Sequence, residues 1–256
     1  MADLPEHVTE NQRYWNDMAD QWVEMGERAW AGELSWGEWG NLESDLRLIP
    51  DDMTGMDAIE LGCGTGYWSG WLTRRGARVT GIDISEEQLA TAGRLAAEHG
   101  AEISFIHGSA EDVPLPDGSF DFALSEYGAA TWCDPHVWIP EAHRLLRPGG
   151  TLVFLGNHPL THITTPADGS NVGRELTRPY FGMGRTDWRH VEINPGGIEY
   201  NLPISGWMEL LQDTGFSVDR YLELGASPGE EVVQFTVARS WALEFPSEQI
   251  WLATKR

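Results

Sequence analysis

Between residues 57 and 157 short apolar strands alternate with helices, and that alternation leaves few architectures open. DAIELG (57–62), ARVTGIDI (77–84), Glu102–His107, SFDFALSE (119–126) and TLVFLGN (151–157) read as strands. Tyr67–Arg75, a segment capped by Ser85 and stopped by Gly100, and Pro135–Leu146 read as helices, with Pro148, Gly149 and Gly150 as a turn. Strands joined by crossover helices pair in parallel and are covered on both faces. FSVDRYLEL (216–224) and EQIWLATKR (248–256) add two more strands. The expectation is an α/β, Rossmann-like, doubly wound, mostly parallel seven-stranded sheet with helices on both faces.

The flanks read differently. Residues 5–30 carry apolar groups at helical spacing, 31–40 read as a loop and 41–48 as a short helix. Residues 158–200 hold many Gly, Pro, Thr and Asn, and are expected to be an insert with short helices. Ser205 is expected to cap a helix ending at Gly215, and a further helix is expected around Arg239–Leu243. Two units result: an N-terminal helical segment over 1–50, and a domain over 51–256 with a covering insert at about 158–204.

Charge removes several functions. The chain has 40 acids against 17 bases, a formal charge of −23, so nucleic acid is not an expected partner. No apolar run approaches the roughly 20 residues of a membrane helix, and the polar N-terminus is not a secretory signal. Cys63 and Cys133 form no disulfide framework, which suits a reducing cytoplasm. No spaced set of metal ligands occurs, so no metal is expected.

The chemistry lies in AIELGCGTGYWSGWL (58–72), a strand, a glycine loop and a helix. Gly62, Gly64 and Gly66 let the backbone bend and approach a ligand. Dinucleotide folds space their glycines G-x-G-x-x-G. Here the third glycine comes one residue early, and Tyr67 would crowd a pyrophosphate. Glu60, just before the loop, would repel a pyrophosphate and attract an ammonium. Asp83 ends the next strand, where an acid binds ribose hydroxyls. Two acids around a glycine loop suggest a nucleoside with a cationic tail, such as S-adenosylmethionine. Two solvated strand ends would leave the loop between them unexplained.

These segments resemble the class I S-adenosylmethionine-dependent methyltransferases, in the branch of small-molecule and quinone methyltransferases. ELGCGTG (60–66), GIDIS (81–85), GSAEDVPLPDGSFD (108–121) and EAHRLLRPGGTLVFL (141–155) match family motifs in order. The resemblance covers about 51–157. It implies that Glu60 lies near the cofactor's amino group, and that Gly62, Cys63 and Gly64 pack on its methionine part. It implies further that Asp83 takes the ribose hydroxyls, that Ile84 lies against adenine, and that Ala110 and Glu111 meet the adenine edge. Ser109 stands where the family often has Asp, so a side-chain contact to the adenine amino group is in doubt there. Ser125 would touch the methionine part through its backbone. In relatives an N-terminal helix closes the pocket, and Tyr14, Trp15 and Trp22 suit that task; packing on the core or across a homodimer partner are the alternatives.

The resemblance implies S-adenosyl-L-methionine as cofactor, S-adenosyl-L-homocysteine as product and a small-molecule acceptor. Asp/Asn-Pro-Pro-Tyr/Phe, which serves amino groups of bases or glutamine, is absent: strand four ends Ser125-Glu126-Tyr127-Gly128. O- or C-methylation is therefore favoured, and His158 and Tyr127, which follow strands five and four, are the candidate catalytic residues. Cyclisation with the same cofactor, or nucleoside binding without turnover, are the competing functions.

Overall fold

The computed structural model describes residues 4–256. Seven strands form one sheet: β1 (Asp57–Leu61), β2 (Arg78–Asp83), β3 (Ile103–His107), β4 (Phe120–Glu126), β5 (Leu146–Asn157), β6 (Phe216–Leu224) and β7 (Glu248–Lys255). Their spatial order is β6-β7-β5-β4-β1-β2-β3. Pairing is parallel from β3 to β5, and β7 runs antiparallel to both of its neighbours. The chain winds outward in both directions from β1 and β4, which leaves a crevice at their carboxyl ends, the ligand position of open α/β sheets.

Alternate side chains feed two cores, because a strand buried on both faces must be apolar at every position. Ile59, Ala123 and Phe154 join Trp138, Ile139, Trp207 and Trp251 on one face. Ala58, Phe122, Leu124 and Val153 join Trp36, Met53, Trp68 and Leu72 on the other. The buried tryptophans are therefore largely core residues, and all seven strands read from the sequence are present.

Besides the four-residue helices Glu43–Leu46, within the 41–48 segment expected to be helical, and Arg239–Ala242, the helices are α1 (Glu6–Ala31), α2 (Tyr67–Arg74), α3 (Glu86–Glu98), α4 (Gly128–Trp132), α5 (Pro135–Leu145), α6 (Pro159–Thr164) and α7 (Ile204–Thr214). The cap expected at Ser85 is made: its Oγ accepts from the Gln88 N–H at 3.1 Å. Ser205, by contrast, lies inside the first turn of α7, and Pro203 holds the N-cap position. Pro148–Gly150 is part of β5, with a register irregularity opposite Phe120 and Phe122, instead of a separate turn. The stretch after β5 contains one short helix, α6, and a hairpin pairing Arg185–Asp187 with Ile198–Tyr200, so it is only partly the helical insert expected. A second hairpin, Val233–Gln234 with Val237–Ala238, precedes a helical turn at Arg239–Ala242.

The segment 31–40 is also more ordered than a loop: Ser35–Trp36 pairs with Asn41–Leu42. Glu43 anchors it. Its buried carboxylate accepts from Trp36 Nε1 at 2.6 Å, from the Leu48 N–H at 2.8 Å and from the Ile49 N–H at 2.9 Å. Three donors on one carboxylate fix the path of the chain into β1.

α1 lies across the carboxyl edge of the sheet on its own chain. Trp30 Nε1 donates to the Thr65 carbonyl at 2.9 Å, and a Cβ on Gly26 would stand 2.8 Å from Thr65. Asn11 donates from Nδ2 to the Trp132 and Ile198 carbonyls, and its Oδ1 accepts from the Ile198 N–H at 2.8 Å. One polar side chain thus joins α1 to α4 and to the hairpin strand Ile198–Tyr200.

Candidate active site

Three strand ends and the loops after them meet under α1. After β1 the loop 62–66 turns through three glycines in the left-handed region, at φ of 75°, 50° and 73° for Gly62, Gly64 and Gly66. Their neighbours differ. A Cβ on Gly62 would lie 2.6 Å from the Cα of Gly128, and one on Gly66 3.2 Å from Ala92 and Phe105. These two glycines allow protein to pack on protein. Only Gly64 faces open space: an added Cβ would meet nothing nearer than Gln88 Oε1 at 4.0 Å. Of the three, Gly64 alone leaves room for a further group against the backbone.

Asp83 supports Gly64. Its Oδ2 accepts from the Gly64 N–H at 2.7 Å and its Oδ1 from the Ser85 N–H at 2.9 Å. Burial raises its pKa, and these backbone donors oppose the rise. Glu60 is 2% exposed, and its Oε2 accepts from the Ser69 N–H at 2.7 Å and from Ser69 Oγ at 2.5 Å. Burial pushes its pKa up to about 8, Ser69 pulls it back and Asp83 adds to the rise. Among the described residues no Arg or Lys pairs with either acid, His107 alone acting on Asp83, so a ligand cation placed beside them would favour their ionisation.

The other expected residues fall around this centre, each with its own partners. Ile84 offers its carbonyl to Gln12 Nε2 at 3.2 Å. Ser109 Oγ accepts from the Glu111 N–H at 3.1 Å, and Ala110 is buried beside them. Glu111 Oε1 is engaged by His7 Nε2 at 2.7 Å and the Asp134 N–H at 2.6 Å, so its carboxylate ties α1 and α5 to the site. Ser125 donates from Oγ to the Leu61 carbonyl at 2.8 Å and accepts from the Ala130 N–H at 3.2 Å. That side chain holds β4 to β1 and does not point outward. Cys63 is buried with its thiol pKa pushed up by desolvation, which makes it an inert space-filling group.

Tyr14 and Trp22 lie on α1. Tyr14 packs against Trp132 at 5.7 Å between ring centroids, and Trp22 stacks on Phe235 at 5.4 Å. Phe235 is in the hairpin before Arg239 at φ 47°, so a helix and a hairpin from opposite ends of the chain pack together.

His158 has a different occupation from the one expected. It is 6% exposed, its Nδ1 accepts from the Leu160 N–H at 3.0 Å, and its Nε2 lies 3.0 Å from Glu223 Oε1. It caps α6, and with Nδ1 accepting, Nε2 must carry the proton. Burial lowers its pKa while Glu223 works against that. With both nitrogens engaged, it has no free lone pair for an acceptor's proton.

Tyr127 is at the centre of a group that sequence reasoning missed. It stands in the left-handed region at φ 56° and donates its hydroxyl to Glu248 Oε1. Glu248 begins β7, which by running antiparallel brings its amino end to the crevice. Its Oε1 also accepts from the Glu38 N–H at 2.7 Å, and Glu126, ending β4, accepts from the Gly37 N–H at 2.7 Å. Glu199 of the insert accepts from Trp188 Nε1 at 3.0 Å. Burial pushes Glu248 and Glu199 each up to about 7, and lifts Glu38 and Glu126 well above the ordinary carboxylate range. The available signal was an acid at the boundary of an apolar strand, at 126 and again at 248.

A family model described as a methyltransferase domain matches residues 59–154. Malonyl-[acyl-carrier protein] O-methyltransferase of Pectobacterium atrosepticum is 35% identical over 127 residues, 49% of this chain and 44% of that protein. Demethylmenaquinone methyltransferase of Staphylococcus aureus is 36% identical over 104 residues, 40% of this chain and 43% of that one. The chain thus spans less than half the length of these curated relatives. An S-adenosylmethionine-dependent methyltransferase from Mesorhizobium loti superposes with a TM-score of 0.65 at 26% identity, covering 83% of this chain and 96% of that one. Residues 59–154 thus match a methyltransferase domain, and the chain shares the fold of S-adenosylmethionine-dependent methyltransferases. S-adenosylmethionine is the cofactor this likeness implies, and the open face of Gly64 lies beside two buried acids.

Proposed function

We propose that this chain is an enzyme that transfers the methyl group of S-adenosylmethionine to an oxygen or carbon atom of a small-molecule acceptor. The observation that carries this is the Gly64 cradle bound to Asp83 and flanked by Glu60, under a helix fastened to the same loops. Asp83 would hold the ribose, Gly62, Cys63, Gly64 and Ser125 the methionine part through backbone, and Glu60 the amino end. Ile84, Ser109, Ala110 and Glu111 would line the adenine, and Tyr14 and Trp22 would close the lid. The bound sulfonium supplies an already activated methyl group, so the protein's task is mainly to position the acceptor and exclude water.

An oxygen or carbon acceptor must also shed a proton. Glu126 ends β4 at the crevice and is only part-buried, and desolvation makes its carboxylate a stronger base than an ordinary glutamate. Tyr127, with its hydroxyl already given to Glu248, would orient the acceptor. The names of relatives favour this reading, since those proteins methylate a malonyl-carrier and a quinone precursor.

The test is thermal stability with S-adenosylhomocysteine, followed by mass-spectrometric detection of methylated product and S-adenosylhomocysteine in an acceptor screen. A ligand at about 100 times its Kd adds roughly 2.7 kcal/mol to the folded state. Asp83→Ala should abolish that gain. No gain in the unmutated protein refutes the cofactor assignment.

A further inference from the structure

The acidic group around Tyr127 exceeds what methyl transfer itself requires. Part of it serves the fold. Glu126 and Glu248 each accept a backbone N–H from the segment 37–38, and Trp39 Nε1 donates to Ser247 Oγ at 2.9 Å. That use accounts for one oxygen of each glutamate. It leaves Glu248 Oε2, which has no hydrogen-bond partner on a side chain that is 0% exposed. A buried carboxylate oxygen without a donor is costly, and its neighbours do not relieve it. Glu38 and Glu126 lie near enough for the three acids to repel one another, and Glu60 and Glu199 add to the field. Among the described residues no Lys or Arg makes a salt bridge to Glu38, Glu126 or Glu248. Arg178 acts on Glu199, but its Nη1 donates to the His162 carbonyl at 3.2 Å and its guanidinium lies over Trp188.

We propose that the acceptor carries an ammonium group, held between Glu38 and Tyr127 over the buried carboxylate of Glu248. This rests on the methyltransferase reading and names the substrate class for the same site. Glu38 and Tyr127 are both part-exposed and form the open side, while Glu248 supplies charge from behind. An ammonium brings three N–H donors and a full positive charge, which is what this group lacks. A bare metal ion suits it less well: among the described residues no group of three or more His, Cys, Asp or Glu is arranged to hold one. Tyr14, which feels the Glu199 charge, and Trp188, which donates to it, add aromatic faces next to the acids. An anionic acceptor would be repelled. A neutral one would leave the carboxylates unpaired.

The consequence can be measured. Carboxyls protonated for want of a cation ionise when one arrives, so binding of an amine near neutral pH releases protons. Isothermal titration with saturating S-adenosylhomocysteine would compare primary amines from ethylamine to 2-phenylethylamine and tryptamine with their alcohol counterparts and with 3-phenylpropionate. We expect at least one amine to bind about tenfold or more tighter than its alcohol, with buffer-dependent heat reporting proton release. Glu38→Gln should weaken that amine about tenfold or more and leave S-adenosylhomocysteine affinity unchanged. Glu248→Gln is the second variant, and its melting temperature reports whether it folds. Alcohols or the carboxylate binding as well as every amine would overturn the proposal, as would amine affinity unchanged in Glu38→Gln. Failure of S-adenosylhomocysteine to bind would instead count against the methyltransferase reading, and the two failures are distinct.

Discussion

Glu60→Gln tests the electrostatics of the cofactor site without any ligand. The carboxyl of Glu60 has an ordinary pKa of 4.5 and is pushed to about 8 in the fold, chiefly by desolvation. Between those values the unfolded chain has lost this proton and the folded protein still holds it. Unfolding therefore releases a proton, and stability falls as pH rises through the window. Each unit of difference is worth about 1.4 kcal/mol, so the whole span of about 3.5 units amounts to about 5 kcal/mol. The stability is fully present below pH 4.5 and fully lost above pH 8. Gln keeps the shape and an oxygen to accept from Ser69, but cannot ionise. The assay is urea denaturation at pH 5, 6, 7 and 8, read as free energy of unfolding for both proteins. The unmutated protein should lose stability toward pH 8, and the gap in favour of Glu60→Gln should widen by up to about 1.4 kcal/mol per unit. Glu199 and Glu248, each near 7, contribute to the slope of both proteins alike, so the difference reports Glu60 together with its coupling to Asp83 and Glu126. Parallel profiles would refute the claim that the site stores an unpaired acid.

Four further outcomes are expected. Glu43→Ala strands three buried donors, and denaturant unfolding should show a loss of about 3 kcal/mol or more. Gly37→Ala introduces a Cβ 2.1 Å from Glu248 Oε1 at a φ of 70°, so it should displace that carboxylate and lower both melting temperature and amine affinity. A double-mutant cycle on Trp22→Ala and Phe235→Ala should give a coupling of about 0.5–1.5 kcal/mol if the stacked pair joins lid and hairpin in solution. His158→Ala removes a helix cap, so it should cost about 1 kcal/mol of stability while leaving kcat unchanged; a large fall in kcat would restore it as the base.

The strands and the principal helices were legible because periodicity and capping are local. Apolar runs of five to seven residues, glycine stops and Ser85 sit where the chain itself dictates backbone geometry. The segments 158–200 and 232–245 were not, since hairpins there are held by partners far along the chain: Asn11 bonds the Ile198 backbone, and Trp22 stacks on Phe235. α4 was overlooked for a similar reason, as its opening glycine is required by contact with Gly62 across the crevice.

By itself the sequence determined a doubly wound α/β sheet and a glycine loop flanked by two acids, because strand alternation and motif spacing are properties of neighbouring residues. Tertiary structure alone decided which glycine of the loop faces open space and that His158 is committed to a helix cap. It also decided that Glu38, Glu126 and Glu248 share one buried field around Tyr127. Residues 38 and 248 meet only because β7 inserts antiparallel beside β5, and desolvation arises only once the pieces are packed together.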